Sequence, residues 1–200
     1  RVGEDSEDGE IICFGPNVMQ GYHNKPAKTA EVIVEDPDLG RGVRTGDRGR
    51  LDKDGYLYIT GRFKEEYKLE NGKYVHPASI EEELKLNSYI SNVMVYGTGK
   101  PYNVGIIFPD FEFLQNYAKE NSISFSDDKD LLNNQKIQEF LQAEATNQLK
   151  GKFGGYEVPR KYVFTHEDFT LENGMLTQTM KLKRRNVLKS YGDELQNLYS

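Results

Sequence analysis

The sequence predicts an α+β chain in two pieces, a small β-rich piece over residues 1–60 and a larger mixed α/β piece over residues 61–200. Three observations carry this reading. Up to position 60, apolar residues come in short runs cut by turn residues, as in Glu10 to Phe14 and the alternating Tyr56-Leu57-Tyr58-Ile59. Beyond it, β-branched runs at Ile90 to Tyr96 and Val104 to Phe108 are followed by stripes at helical spacing, such as Ile137, Phe140 or Leu141, Ala145 and Leu149. Between the two lies Gly61-Arg62-Phe63-Lys64, a glycine-started turn with two cations.

In chain order, residues 3 to 9 (GEDSEDG) are acidic and flexible in composition, and Gly15-Pro16 ends the first strand because proline has no donor for a ladder. A turn and a surface helix follow. Residues 35 to 42 read as a loop, and Thr45-Gly46-Asp47 as a short turn presenting a carboxylate. Glu66 to Leu69 and Lys73 to Val75 read as short strands joined by the hairpin signal Glu70-Asn71-Gly72. Pro77 suits the first position of a helix, with Glu81, Glu82 and Glu83 in or near a first turn where the dipole favours acids. Gly97-Thr98-Gly99-Lys100-Pro101 lacks the glycine spacing and the Lys-Ser/Thr pair of a phosphate loop, so it reads as a hairpin turn. Phe111, Leu114 and Tyr117 or Ala118 mark a helix, and Asp127, Asp128 and Asp130 the acidic entry to another. Lys161 to His166 is a strand, and residues 186 to 199 form an amphipathic helix with Val187, Leu188, Tyr191, Leu195 and Leu198 on its apolar side.

Composition excludes several classes. A net charge of −6 argues against general nucleic-acid binding, which needs a basic face. No run approaches the length of a membrane-spanning helix. One cysteine, Cys13, allows no internal disulfide and fits a reducing cytoplasm; between Ile12 and Phe14 it reads as a small core residue. His23, His76 and His166 are scattered, without metal or triad spacing. The start, Arg1-Val2-Gly3-Glu4, has neither an initiator Met nor a leader, and reads as a cut inside a longer protein.

Two places carry chemistry. A carboxylate at Asp47 can accept hydrogen bonds from both hydroxyls of a ribose, and Arg62 can hold a ribose or phosphate oxygen by a charge-assisted bond. An acid and a cation joined by a hairpin-like strand would suit one nucleotide, if the fold brings them together. Near the other end, Lys181, Lys183, Arg184 and Arg185 place four cations within five residues. Such a run is usually a solvated face; the functional alternative is a mobile lysine that neutralises charge developing at a phosphoryl group.

These residues carry a resemblance. Gly9-Glu10-x5-Pro16-x2-Met19-x-Gly21-Tyr22-x3-Pro26-x2-Thr29, Arg44-Thr45-Gly46-Asp47, Gly55-Tyr56 and Gly61-Arg62-x-Lys64 stand in the order of the late motifs of adenylate-forming enzymes. That superfamily contains acyl-CoA synthetases, luciferases and the adenylation domains of peptide synthetases. Leu176-Thr177-Gln178-Thr179-Met180-Lys181-Leu182-Lys183-Arg184 resembles the final motif in its long-chain acyl-CoA synthetase variant. The sequence departs from the pattern at Val43, where an aromatic is usual, and at Gln178, where proline is usual.

The resemblance implies that residues 1–60 end the large nucleotide-binding domain and that residues 61–200 form a mobile lid. Asp47 would bind ribose, Arg62 ribose or phosphate, and Lys181 would serve adenylation. Lys64 would be the hinge, and Gly72 would let backbone approach pantetheine. The activity implied is ATP + fatty acid + CoA to acyl-CoA + AMP + pyrophosphate through acyl-AMP, with ATP/AMP and CoA bound and Mg²⁺ held by ligands outside these residues. Lys183 and Arg184 would support phosphate or CoA contacts, or stay solvated. The partners implied are fatty acid, CoA and the missing N-terminal domain of the same chain, and the setting is cytoplasmic, with peripheral membrane contact of the full-length protein left open. Without the Ser/Thr/Gly-rich phosphate loop, these residues alone would not turn over. Two other readings stay open: another adenylate-former, such as a fatty acyl-AMP ligase or peptide-synthetase adenylation domain, and a non-catalytic binding module.

Overall fold

A computed structural model describes residues 9–63 and 65–200. The chain divides into two compact units, the first ending at Glu66 and the second spanning Tyr67–Ser200. The sequence boundary at 60/61 falls inside a strand, which is why the structural division lies further along.

The first unit is an antiparallel sheet built on one long strand. Strand β1 (Gly9–Phe14) is followed by helix α1 (Pro26–Val32), which starts on a proline, then β2 (Ile33–Asp36), β3 (Gly40–Leu51) and β4 (Leu57–Arg62). One edge of β3 pairs with β1 along most of its length; its other edge is shared by β2, at positions 40–43, and β4, at positions 47–51. Residues 35–42, expected as a loop, are therefore largely strand, and the turn shrinks to the residues between Asp36 and Gly40. Asp36 closes it by accepting from the amides of Asp38 and Leu39. Asp52 does the same for the β3–β4 turn, accepting from Asp54 and Tyr56. Cys13, expected in a core, is exposed; it pairs across the ladder with Val43 and its neighbours Ile12 and Phe14 are half-buried.

The second unit is a three-layer α/β arrangement. A hairpin of β5 (Tyr67–Lys68) and β6 (Tyr74–Val75) leads into helix α2 (Pro77–Leu84). Strands β7 (Ile90–Tyr96) and β8 (Val104–Pro109) form the expected antiparallel hairpin around the Gly97 to Pro101 turn. Helices α3 (Phe111–Glu120), α4 (Asp128–Asn133) and α5 (Gln135–Leu149) intervene before β9 (Lys161–Phe164), which returns parallel to β8. Helix α6 (Arg184–Asn197) ends the fold.

Alternation along β7 and β8 decides which layer each side chain meets. Val93, Val95 and Ile107 face Ile80 and Leu84 of α2 and Ala145 and Leu149 of α5. Met94, Val104 and Ile106 face Val187, Tyr191 and Leu195 of α6. A third cluster joins α3, α4 and α5 through Leu114, Leu131 and Leu141. The helical stripes read from sequence are the buried faces found here. Asp127 caps α4, accepting from the Asp130 amide at 2.8 Å, as the acidic-entry reading expects.

Candidate functional site

In the first unit, Thr45-Gly46-Asp47 is not a free turn but a bulge inside β3. Between the pairs Ile12↔Arg44 and Glu10↔Arg48, β1 supplies one residue and β3 supplies three, so β3 bends there. Gly46 takes φ +75°, a left-handed conformation that other L-residues adopt at a cost. Three hydrogen bonds hold the bend. The Thr45 hydroxyl donates to the Ile11 carbonyl at 2.8 Å and accepts from the Asp47 amide at 3.0 Å, and the Phe63 amide donates to the Gly46 carbonyl at 3.0 Å.

The bend aims Asp47 across the sheet at Arg62. Gly61 and Arg62, expected in a turn, instead complete β4, where Arg62 stands opposite Asp47. Arg62 Nε meets Asp47 Oδ1 at 2.8 Å, with the two side chains 46% and 25% exposed. An ion pair this open contributes about 0–1 kcal/mol to stability. It is also easily shared: a carboxylate has lone pairs for further donors, and a guanidinium has donors besides Nε. A vicinal diol or a phosphate oxygen arriving here would meet an acceptor and a fixed cation together. Arg48 backs the site, its guanidinium bonded to Glu66 at 3.2 Å and lying 5.5 Å from the centre of the Phe63 ring. Lys64 lies outside the described residues.

The other sequence-predicted site residues belong to the second unit, on two separate turns. Gly72 takes φ +84° at the tip of the β5–β6 hairpin, its amide donating to the Leu69 carbonyl at 2.9 Å, and a Cβ added there would meet nothing within 4 Å. The turn is tied down at Glu70, whose amide donates to the Lys100 carbonyl at 3.0 Å. Lys181 closes a tight loop. Its amide donates to the Thr177 hydroxyl at 3.0 Å, and its carbonyl accepts from the Thr177 amide at 2.8 Å. Met180 adopts φ +59° to make the turn, and an isolated bridge pairs Leu176 with Leu182 below it. Lys181 thus stands exposed on a rigid stem.

Two features escaped the sequence reading. Arg184, expected as solvated or as a phosphate or CoA contact, turns inward onto Glu81; Glu81, expected in or near a first turn as a helix-dipole acid, is 7% exposed and past that turn. The reason is register: Glu81 lies on the same face of α2 as the buried Pro77, Ile80 and Leu84, and a carboxylate there needs a cation. The i, i+3, i+4, i+7 spacing from Pro77 was the available signal. The other feature is Asn103, fully buried, which no periodicity marks.

Among the described residues, no group of three or more His, Cys, Asp or Glu is placed to hold a metal ion. Also among them, no helix is long and apolar enough to cross a membrane.

The family profile of the AMP-binding enzyme C-terminal domain matches residues 65–200. The chain is 32% identical to long chain acyl-CoA synthetase 8 of Arabidopsis thaliana, over 96% of this chain and 27% of that protein. It is 34% identical to long-chain-fatty-acid–CoA ligase 5 of Mus musculus, over 97% of this chain and 28% of that protein. Among solved structures, the adenylation domain of a carboxylate reductase from Mycobacterium chelonae superposes with a TM-score of 0.77 at 26% identity, covering 96% of this chain and 28% of the other. An A-PCP didomain of the carboxylic acid reductase from Segniliparus rugosus, solved with AMP, gives 0.78 at 25% identity, covering all of this chain and 26% of the other. The chain therefore spans less than a third of the relatives named here.

Proposed function

The chain belongs to the AMP-binding enzymes, whose C-terminal domain occupies residues 65–200, and from that premise we propose that it is the C-terminal part of a long-chain fatty acid–CoA ligase. In the intact enzyme, a fatty-acid carboxylate oxygen attacks the α-phosphorus of ATP, and the bond to pyrophosphate breaks, giving acyl-AMP. The sulfur of CoA then attacks the acyl carbonyl, and AMP leaves. Asp47 accepts hydrogen bonds from the ribose hydroxyls. Arg62, held in place by Asp47, faces ribose or phosphate oxygen. Lys181 neutralises charge on the carboxylate and α-phosphate oxygens during the first step, where its stabilisation counts only if it is greater in the transition state. Lys64 is the hinge, and Gly72 gives pantetheine close access to backbone. The enzyme works in the cytoplasm, and residues 1–200, without a phosphate loop, are inactive alone.

The observation that carries this reading is the Asp47–Arg62 pair, built by a bulge that three hydrogen bonds hold in shape. Its test is Asp47→Ala in the full-length enzyme. Loss of a hydrogen-bond acceptor that is charged costs about 1.5–3 kcal/mol, so ATP use should fall by roughly 10- to 150-fold. Unchanged KM and kcat for ATP would make Asp47 a purely structural member of the bulge.

The carboxylate reductase neighbours support a second reading, in which the acyl group passes to a carrier protein. A thiol-acceptor assay separates the two: the first reading predicts acyl-CoA, the second an acylated carrier domain and little acyl-CoA.

A further inference from the structure

We propose that Arg184 is a positioning residue: through its pairing with buried Glu81 it fixes the stem that carries Lys181, and so sets where that ammonium is delivered during acyl adenylation. The inference rests on the role proposed above for Lys181.

The pairing is a fork with backbone attached. Glu81 Oε1 accepts from the Val95 amide at 2.6 Å and from one terminal nitrogen of Arg184 at 2.7 Å; Oε2 accepts from the other at 2.5 Å. The first of those nitrogens also donates to the Val95 carbonyl at 3.2 Å. Val95 lies on β7, which pairs with β8 on one side only. The far edge of such a strand presents main-chain groups that no ladder satisfies. Glu81 accepts from the amide there and Arg184 donates to the carbonyl, so the ion pair satisfies the sheet edge at Val95. A planar guanidinium can serve two carboxylate oxygens and a carbonyl together; an ammonium cannot hold that geometry.

Arg184 is three residues from Lys181, and the chain between them has no slack. The Lys183 amide donates to the Met175 carbonyl at 2.7 Å. Leu182 packs against the same cluster as Met175, Leu176 and Val187. Thr177 holds both the amide and the carbonyl of Lys181. Arg184 also begins α6, so its fork fixes the end of the stem and the start of the helix at one point. The other cations of the run, Lys183 and Arg185, are exposed and make no comparable anchor. A shift of Arg184 is therefore passed to Lys181, and displacement of a catalytic group by about 1 Å can cost 10²-fold.

The test uses the full-length enzyme with Arg184→Lys, which keeps charge and loses the fork, and Glu81→Gln as a second route to the same loosening. Acyl-AMP formation should fall by about 10- to 10²-fold. Thioester formation from premade acyl-AMP and CoA should stay within about twofold of the parent. Amide exchange at Lys181 and Lys183 should quicken by about tenfold or more, while that of β8 keeps its protection. In the Lys181→Ala background, Arg184→Lys should add no more than about twofold, because it acts through the lysine. Equal loss of both half-reactions, unchanged exchange at Lys181, or losses that multiply in the double variant would each overturn the proposal. If Lys181→Ala slows adenylation and neither anchor variant does, this inference alone fails. If Lys181→Ala leaves adenylation untouched, the role proposed for Lys181 fails and takes this inference with it.

Discussion

Asn103 offers the clearest measure of how the second unit holds its functional turns. It is fully buried just ahead of β8. Its Nδ2 donates to the carbonyls of Tyr156 and Glu157 at 3.0 and 2.8 Å, and its Oδ1 accepts from the Tyr67 hydroxyl at 2.8 Å. Burial also pushes the Tyr67 hydroxyl well above its ordinary pKa, so it stays a donor at any pH of interest. One side chain thus ties the β5–β6 hairpin, which carries Gly72, to the loop before β9. Asn103→Ala strands three polar groups. Each stranded group costs about 1–3 kcal/mol; the two carbonyls are on a loop that can relax toward water, so the lower end applies and the sum is about 3–4 kcal/mol. For a unit of this size that lowers Tm by roughly 10 °C. Because the chain has no Trp, far-UV circular dichroism is the assay. A loss below about 1 kcal/mol would refute the reasoning, since it would mean that the stranded groups find equal partners elsewhere. Asn103→Asp sharpens the test. A carboxylate there faces two carbonyl oxygens and sits out of water, so its folded pKa rises above the unfolded value of about 3.9. The folded state then holds the proton longer, so relative to the parent the variant fares best below pH of about 4 and loses ground as pH rises toward the folded pKa, by up to about 1.4 kcal/mol per pH unit. A variant that gains on the parent as pH rises toward neutrality would contradict this sign.

Two further predictions follow from single positions. Tyr162 is buried and its hydroxyl has no hydrogen-bond partner among the described residues, so Tyr162→Phe should leave stability unchanged or raise it by up to about 1 kcal/mol, read from the same melt; a loss of more than about 1 kcal/mol would reveal a partner. Gly72→Ala meets no steric obstacle but forces φ +84° on a residue with a Cβ, costing about 1–2 kcal/mol by denaturant titration; under the proposed role it should also slow thioester formation more than adenylation.

Much of the fold was legible because local signals and tertiary needs agree. The stripe Ile137, Leu141, Ala145, Leu149 is helical by spacing and buried in the structure. Proline marks the starts of α1 and α2, and the turn at Gly97 to Pro101 joins two β-branched runs. Thr45-Gly46-Asp47 misled because a glycine beside polar residues signals any left-handed position, and only pairing with β1 and β4 distinguishes a bulge from a turn. Cys13 misled because successive residues of a strand face opposite ways, so its apolar neighbours do not report its own burial. Asp47 and Arg62 were both named from sequence, yet their 2.8 Å contact depends on register that residues fifteen apart cannot reveal by themselves. The Glu81–Arg184 fork was hidden by distance in the chain: one half looked like a helix-dipole acid and the other like one of four solvated cations.

The central claim is that this chain supplies the adenylation lysine of an acyl-CoA ligase, and the most direct measurement is both half-reactions on full-length Lys181→Ala. A cation placed against the adenylation transition state lowers that barrier alone. Acyl-AMP formation from fatty acid and ATP should fall by about 10²–10³-fold, the loss seen when one preorganised donor is removed. Acyl-CoA formation from premade acyl-AMP and CoA should run at close to the parent rate. Equal loss of the two, or loss of neither, would contradict the account and return the cluster after Thr177 to a solvated basic face.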